Sequence, residues 1–93
     1  MTPSELAEKQ LELAHEYGVL SDRLAEVLEV KAKAWPEIRE KSESEKQAEN
    51  SWSYSENGIL EMKLRLSLKK HEKLMSSIKA LLRVRELEIR NLV

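Results

Sequence analysis

A chain of 93 residues makes one domain at most and hides only a modest core by itself, so association with further chains is expected. Two glycines, two prolines, no phenylalanine and 35% charged side chains suit helices with few turns better than a sheet, while the lack of cysteine excludes disulfides and thiolate chemistry and fits a reducing compartment. The formal net charge is −1, but residues 1–58 carry 7 basic and 13 acidic side chains, a net of −6, against 9 and 4, a net of +5, in residues 59–93, so the halves should attract each other or offer one face to an anionic partner.

The first predicted element is a helix over residues 3–34. Thr2, Pro3 and Glu5 supply a capping hydroxyl, a proline at the first helical position and an acid three residues after the cap. Leu6, Leu13, Tyr17, Leu20, Leu24 and Val27 then recur at three- and four-residue steps, with Gln10 filling the vacant place, which is a heptad-like seam. Beside it runs a second seam of Ala7, Leu11, Ala14, Gly18, Ser21, Ala25, Leu28 and Ala32, small enough to let another backbone come close. A close helix crossing would explain Gly18, which costs about 1 kcal/mol against alanine in mid-helix.

Trp35-Pro36 predicts a break or kink, because proline disfavours helical geometry in the residue before it. The charged stretch that follows, with Ile38 its one large aliphatic residue, predicts a connector over residues 36–44. Ser42 and Ser44 are candidate caps, and Gln47 stands three residues after Ser44.

The second main helix is expected over residues 45–91. Within it Leu60, Met62, Leu64, Leu66 and Leu68 alternate with polar residues as a half-buried strand would, and Asn57-Gly58 is a strong turn dipeptide. A hairpin over residues 51–66 with a three-residue loop would pair Trp52 with Met62 and Tyr54 with Leu60, and stands as the alternative. The helix is preferred, since residues 60–68 hold no β-branched or aromatic side chain and run without proline or glycine into the helical spacing of Leu74, Ile78, Leu81 and Leu82. On that helix Leu60, Leu64 and Leu68 share one face while Met62 and Leu66 lie nearly opposite. One partner helix covers one side only. Lower down, Leu68, Met75, Ile78, Leu82 and Ile89 form one stripe and Leu74, Leu81 and Val84 another. The expected fold is therefore all-α: a long antiparallel helical hairpin of residues 1–93, self-associating into a helical bundle. Leu60, Met62, Leu64, Leu66, Leu68 and Met75 are its candidate oligomer or partner interface.

The segment KSESEKQAENSW, then Gly58, MKLRLSLKKHEKLMSSIKALLRV and EIRN resembles a group of short proteins encoded by bacteriophages and prophages. The resemblance covers residues 41–92: lysine-serine-acidic, an aromatic, a glycine, then alternating leucines and basic residues. It implies a small accessory protein of a phage, expressed with replication or recombination genes, and it transfers no catalytic residue.

Chemical motifs are sparse. His15 and His71 have no second ligand at metal-binding spacing, and there is no nucleophile elbow, phosphate loop or glycine-rich turn, so neither catalysis nor a metal or cofactor is expected. MTPSELAEKQ lacks the basic start and apolar centre of a signal peptide, and no apolar run suits a membrane span; a cytoplasmic protein with no membrane partner is expected. Two functional classes follow. In the first, a helical oligomer binds a phage or host protein. In the second, an accessory DNA-binding protein uses Lys63, Lys70, Lys73, Arg83, Arg85 and Arg90 against phosphates, with Trp52 or Tyr54 stacked on an unpaired base. The plainer reading makes the basic residues solvated partners of the acidic first helix, Trp52 and Tyr54 packing anchors, Trp35 a cover for the helix junction, and Arg85 a mate for Glu12 or Glu16.

Overall fold

The computed structural model describes residues 2–92, with side chains through residue 91. They form three helices and no strand: α1 (Pro3–Glu40), α2 (Glu45–Tyr54) and α3 (Glu56–Leu92). The molecule is elongated, 69 × 20 × 15 Å.

The start of α1 follows its capping signals. Thr2 is extended and its Oγ1 accepts a hydrogen bond from the Glu5 amide at 3.2 Å, with Pro3 in the first turn. The heptad-like seam is the face that α1 buries: Leu6, Leu13 and Val27 are buried, and Gln10, Tyr17, Leu20 and Leu24 half-buried. The expected break at Trp35-Pro36 does not occur. α1 continues through Pro36 to Glu40. An interior proline costs roughly 3 kcal/mol, but the turn around it carries Trp35 and Ile38 onto the cluster of Val27, Trp52 and Leu64, and that packing holds the helix together. The connector accordingly shrinks to residues 41–44.

Ser44 opens α2 with its Oγ accepting from the Gln47 amide at 3.2 Å, while Gln47 Oε1 accepts from the Glu43 amide at 2.6 Å. A four-residue rhythm turns Ala48 and Trp52 inward. The single helix expected over residues 45–91 is divided at Ser55, which is extended. One hydroxyl serves both sides of the break: Ser55 Oγ donates to the Trp52 carbonyl at 2.5 Å and accepts from the Gly58 amide at 3.1 Å. A short polar side chain that competes for backbone partners thus ends one helix and caps the next.

The alternative strand pairing over residues 51–66 is absent, those residues being helical on either side of Ser55. Gly58 makes no hairpin turn and has no positive φ. It is instead the point where α2 presses on α3. A Cβ there would collide with the Trp52 carbonyl group and lie 2.9 Å from Ser53 Cα.

α3 runs back along α1, so residue numbers rise on one helix as they fall on the other. Leu6 and Leu13 pack with Ile78, flanked by Met75 and Leu82. Toward the connector, Val27, Trp52 and Leu64 form a second cluster, flanked by Leu20, Leu24, Trp35, Ile38 and Leu60. The small-residue seam of α1 lies outside both: Ala7, Leu11, Ala14, Gly18, Ala25 and Ala32 are exposed. Gly18 therefore has no close crossing within the chain, and a Cβ there would meet nothing within 4 Å.

Candidate functional site

Two apolar rows divide α3, as helical geometry requires of its alternating sequence. The inner row holds Leu64 and Ile78, both buried, with Leu60, Leu68, Met75 and Leu82 half-buried. The outer row is open: Met62 is 55% and Leu66 59% exposed, and Leu74, Leu81, Val84 and Leu87 are exposed with them. Of the interface residues read from the sequence, Leu60, Leu64, Leu68 and Met75 thus lie on the side that faces α1, and Met62 and Leu66 on the side left free. Ile89, grouped by spacing with the inner stripe, is exposed.

The basic residues follow the outer side. Lys63, Lys70, Lys73, Arg83, Arg85 and Arg90 are exposed, and among the described residues none forms an ion pair. The acidic first helix does not neutralise them. Arg85 does not reach Glu12 or Glu16 either. Ile78 is level with Leu13, and Arg85, two turns further along α3, has passed both acids. Glu12 takes Lys9 at 3.4 Å, and Glu16 takes His71 at 2.8 Å.

His71 joins the long helices by an unusual balance of partners. Its Nε2 faces Glu16 Oε2 at 2.8 Å and its Nδ1 faces the Ser67 carbonyl at 2.9 Å, and both partners accept. Only the imidazolium donates from both nitrogens. The Glu16 hydrogen bond, then the Ser67 carbonyl, raise the His71 pKa above its ordinary value against the opposing effects of desolvation and Lys70. At the next residue of each helix, the Tyr17 hydroxyl donates to Glu72 Oε1 at 2.8 Å, a bond that raises the phenol's pKa.

At the helix junction Trp52 is buried and Tyr54 is 84% exposed. Trp52 is a packing anchor, and its indole Nε1 donates to Glu61 Oε1 at 3.0 Å. Lys31 Nζ stands 5.6 Å from the Trp52 ring centre and 5.7 Å from that of Trp35, and 3.5 Å from Glu61 Oε1. Arg65 Nε donates to Glu61 Oε2 at 3.0 Å. Burial opposes the Glu61 charge, but the Arg65 and Trp52 hydrogen bonds together with the Lys31 and Arg65 charges outweigh it and hold the carboxyl below its ordinary pKa. Beside this knot an open groove of about 460 Å³ runs between α2 and α3, lined by Trp52, Gly58, Glu61, Met62, Arg65 and Leu66 among others.

Lys31, Glu61 and Ser55 were not singled out from the sequence. Glu61 with Arg65 at four-residue spacing, and Ser55 three residues before Gly58, were the available signals. Among the described residues no three His, Asp or Glu side chains converge as a metal site, and no helix is long and apolar enough to cross a membrane. No family model, curated protein or solved structure gives a significant match to this chain.

Proposed function

We propose that this chain is a small non-enzymatic accessory protein of the phage type, acting in the host cytoplasm by helix-mediated self-association and by binding a phage or host protein. The long helices form an antiparallel hairpin, and hairpins associate into a bundle. One observation carries the reading: α3 has a full apolar row turned away from α1, with Met62 and Leu66 more than half exposed. An isolated protein gains nothing from such a row, and contiguous exposed apolar surface marks interaction sites. The resemblance of residues 41–92 to short phage and prophage proteins supports the same reading. The test is light scattering on the wild type and on Leu66→Glu combined with Leu81→Glu. The wild type is expected above the mass of one chain, and the variant at one chain with its helix content unchanged. A monomeric wild type that also captures no protein through this face would overturn the proposal.

A second reading, an accessory DNA-binding protein of phage replication or recombination, draws on Lys63, Lys70, Lys73, Arg83 and Arg85 having no ion-pair partner among the described residues. It expects DNA affinity that falls steeply with salt and drops further when Lys70, Lys73 and Arg83 become glutamine. Absence of binding to single- or double-stranded DNA at low salt removes it.

A further inference from the structure

On α3, Lys63, Lys70, Leu74 and Leu81 succeed one another at seven, four and seven residues, which keeps them within about 40° around the helix at roughly 100° per residue. On α1, Leu11, Gly18, Asp22 and Glu29 succeed one another at the same steps and span the same arc. All eight are exposed, so the two rows do not meet within one chain. Laid against each other in opposite directions they match position for position: Lys63 with Glu29, Lys70 with Asp22, Leu74 with Gly18, and Leu81 with Leu11.

We infer that the α3 row docks on the α1 row of a second copy of this chain, so that each α3 lies between its own α1 and another copy's. The inference rests on the self-association proposed above and places its contact on the Leu74 and Leu81 side of the outer row. Three observations select α1 of another copy as the occupant. The charges are complementary: α1 holds nine acidic and five basic residues, and α3 five and nine. Lys63, Lys70 and Asp22 have no ion-pair partner among the described residues, and Glu29 reaches only Lys33 on its own helix, at 3.4 Å. Gly18 weakens α1 without any compensating contact in the chain, since the space beyond it is open; a leucine from another copy fits there. The competing arrangement, α3 on α3, brings two net-basic helices together and is disfavoured by like charge. Around α1 the docking row lies about 150° from the buried seam, and around α3 about 95° from the inner row, so the contact joins copies head to tail.

Sedimentation equilibrium of the full chain at low salt tests this, with circular dichroism confirming unchanged helix content. Lys63→Glu with Lys70→Glu should weaken association by about tenfold, since both ion pairs of each contact turn repulsive. Asp22→Lys with Glu29→Lys should do the same, and all four changes in one chain should restore association. A wild type that remains a single chain overturns the self-association reading and this inference together. A wild type that associates, with lysine reversal leaving the affinity unchanged or tighter, overturns only the docking assigned here. Cysteine cross-linking gives an independent readout, the native chain having no cysteine. Gly18→Cys with Leu74→Cys should oxidise to covalently linked copies, whereas equal cross-linking by Leu74→Cys alone places α3 on α3 and refutes the arrangement.

Discussion

The two ends of the molecule are built differently. At the connector end three helices converge, Trp52 and Leu64 are buried with Val27, and Glu61 ties α1, α2 and α3 through Lys31, Trp52 and Arg65. At the other end two helices share Leu6, Leu13 and Ile78, and every described side chain from residue 83 onward is exposed. Two helices bury one stripe each, whereas a third helix closes the side that two leave open. One end therefore has a three-helix core within a single chain, and the other has two helices only.

Substitutions should expose this difference. Trp52→Ala removes the aromatic side chain common to all three helices and should cost about 3–5 kcal/mol, enough to lower the thermal midpoint by well over 10 °C in a chain of this size by the scaling of roughly 4–8 °C per kcal/mol. Ile78→Ala at the thin end should cost nearer 2 kcal/mol, since a site bordered by solvent can collapse around the gap. Calorimetry on both variants checks the order, and equal losses would erase the distinction between the ends.

Glu61→Ala should come next, at about 2 kcal/mol, because it leaves the Trp52 indole N–H and the Lys31 ammonium without their acceptor. Glu61 has a lowered pKa, so its contribution is present above the ordinary value of 4.5 and is lost as pH falls below it through the folded-state value. Acid titration of the wild type should show that loss, and Glu61→Ala should flatten it.

The smallest effect should come from His71. Its pKa is raised, so its contribution is full below the ordinary value of 6.5 and disappears as pH climbs through the folded-state value. Thermal midpoints measured from slightly acid to slightly alkaline pH should fall for the wild type and stay level for His71→Gln. Identical profiles would remove any role for the Glu16 contact.

The start of α1 and its buried seam were legible in the sequence because capping and periodicity are local signals, carried by Thr2, Pro3, Glu5 and the Leu6-to-Val27 spacing. The division of α3 into inner and outer rows followed from counting 100° steps. Pro36 was misread and Ser55 passed over, for opposite reasons. At Pro36 a local breaker is overruled by Trp35 and Ile38 packing on residues far away in the chain. At Ser55 a weak local signal is decisive, because the hydroxyl can serve the Trp52 carbonyl and the Gly58 amide together. Gly58 was legible as special, but its role in a close helix contact depends on where α2 lies. Of the candidate site, Met62 and Leu66 could be placed on one face from spacing. Which face would be free depended on where α1 lay, beyond the reach of periodicity in α3 alone.

Trp35 and Trp52 are the only two tryptophans, and both flank Lys31 at the connector end. Intrinsic fluorescence of the whole protein is therefore a local thermometer, blind to the far half, while far-ultraviolet dichroism averages over all three helices. Melting curves from the two signals should separate if the thin end frays first, and should converge once a partner clamps it, so an ordinary fluorimeter beside a dichroism instrument can report the docking of another chain without any label.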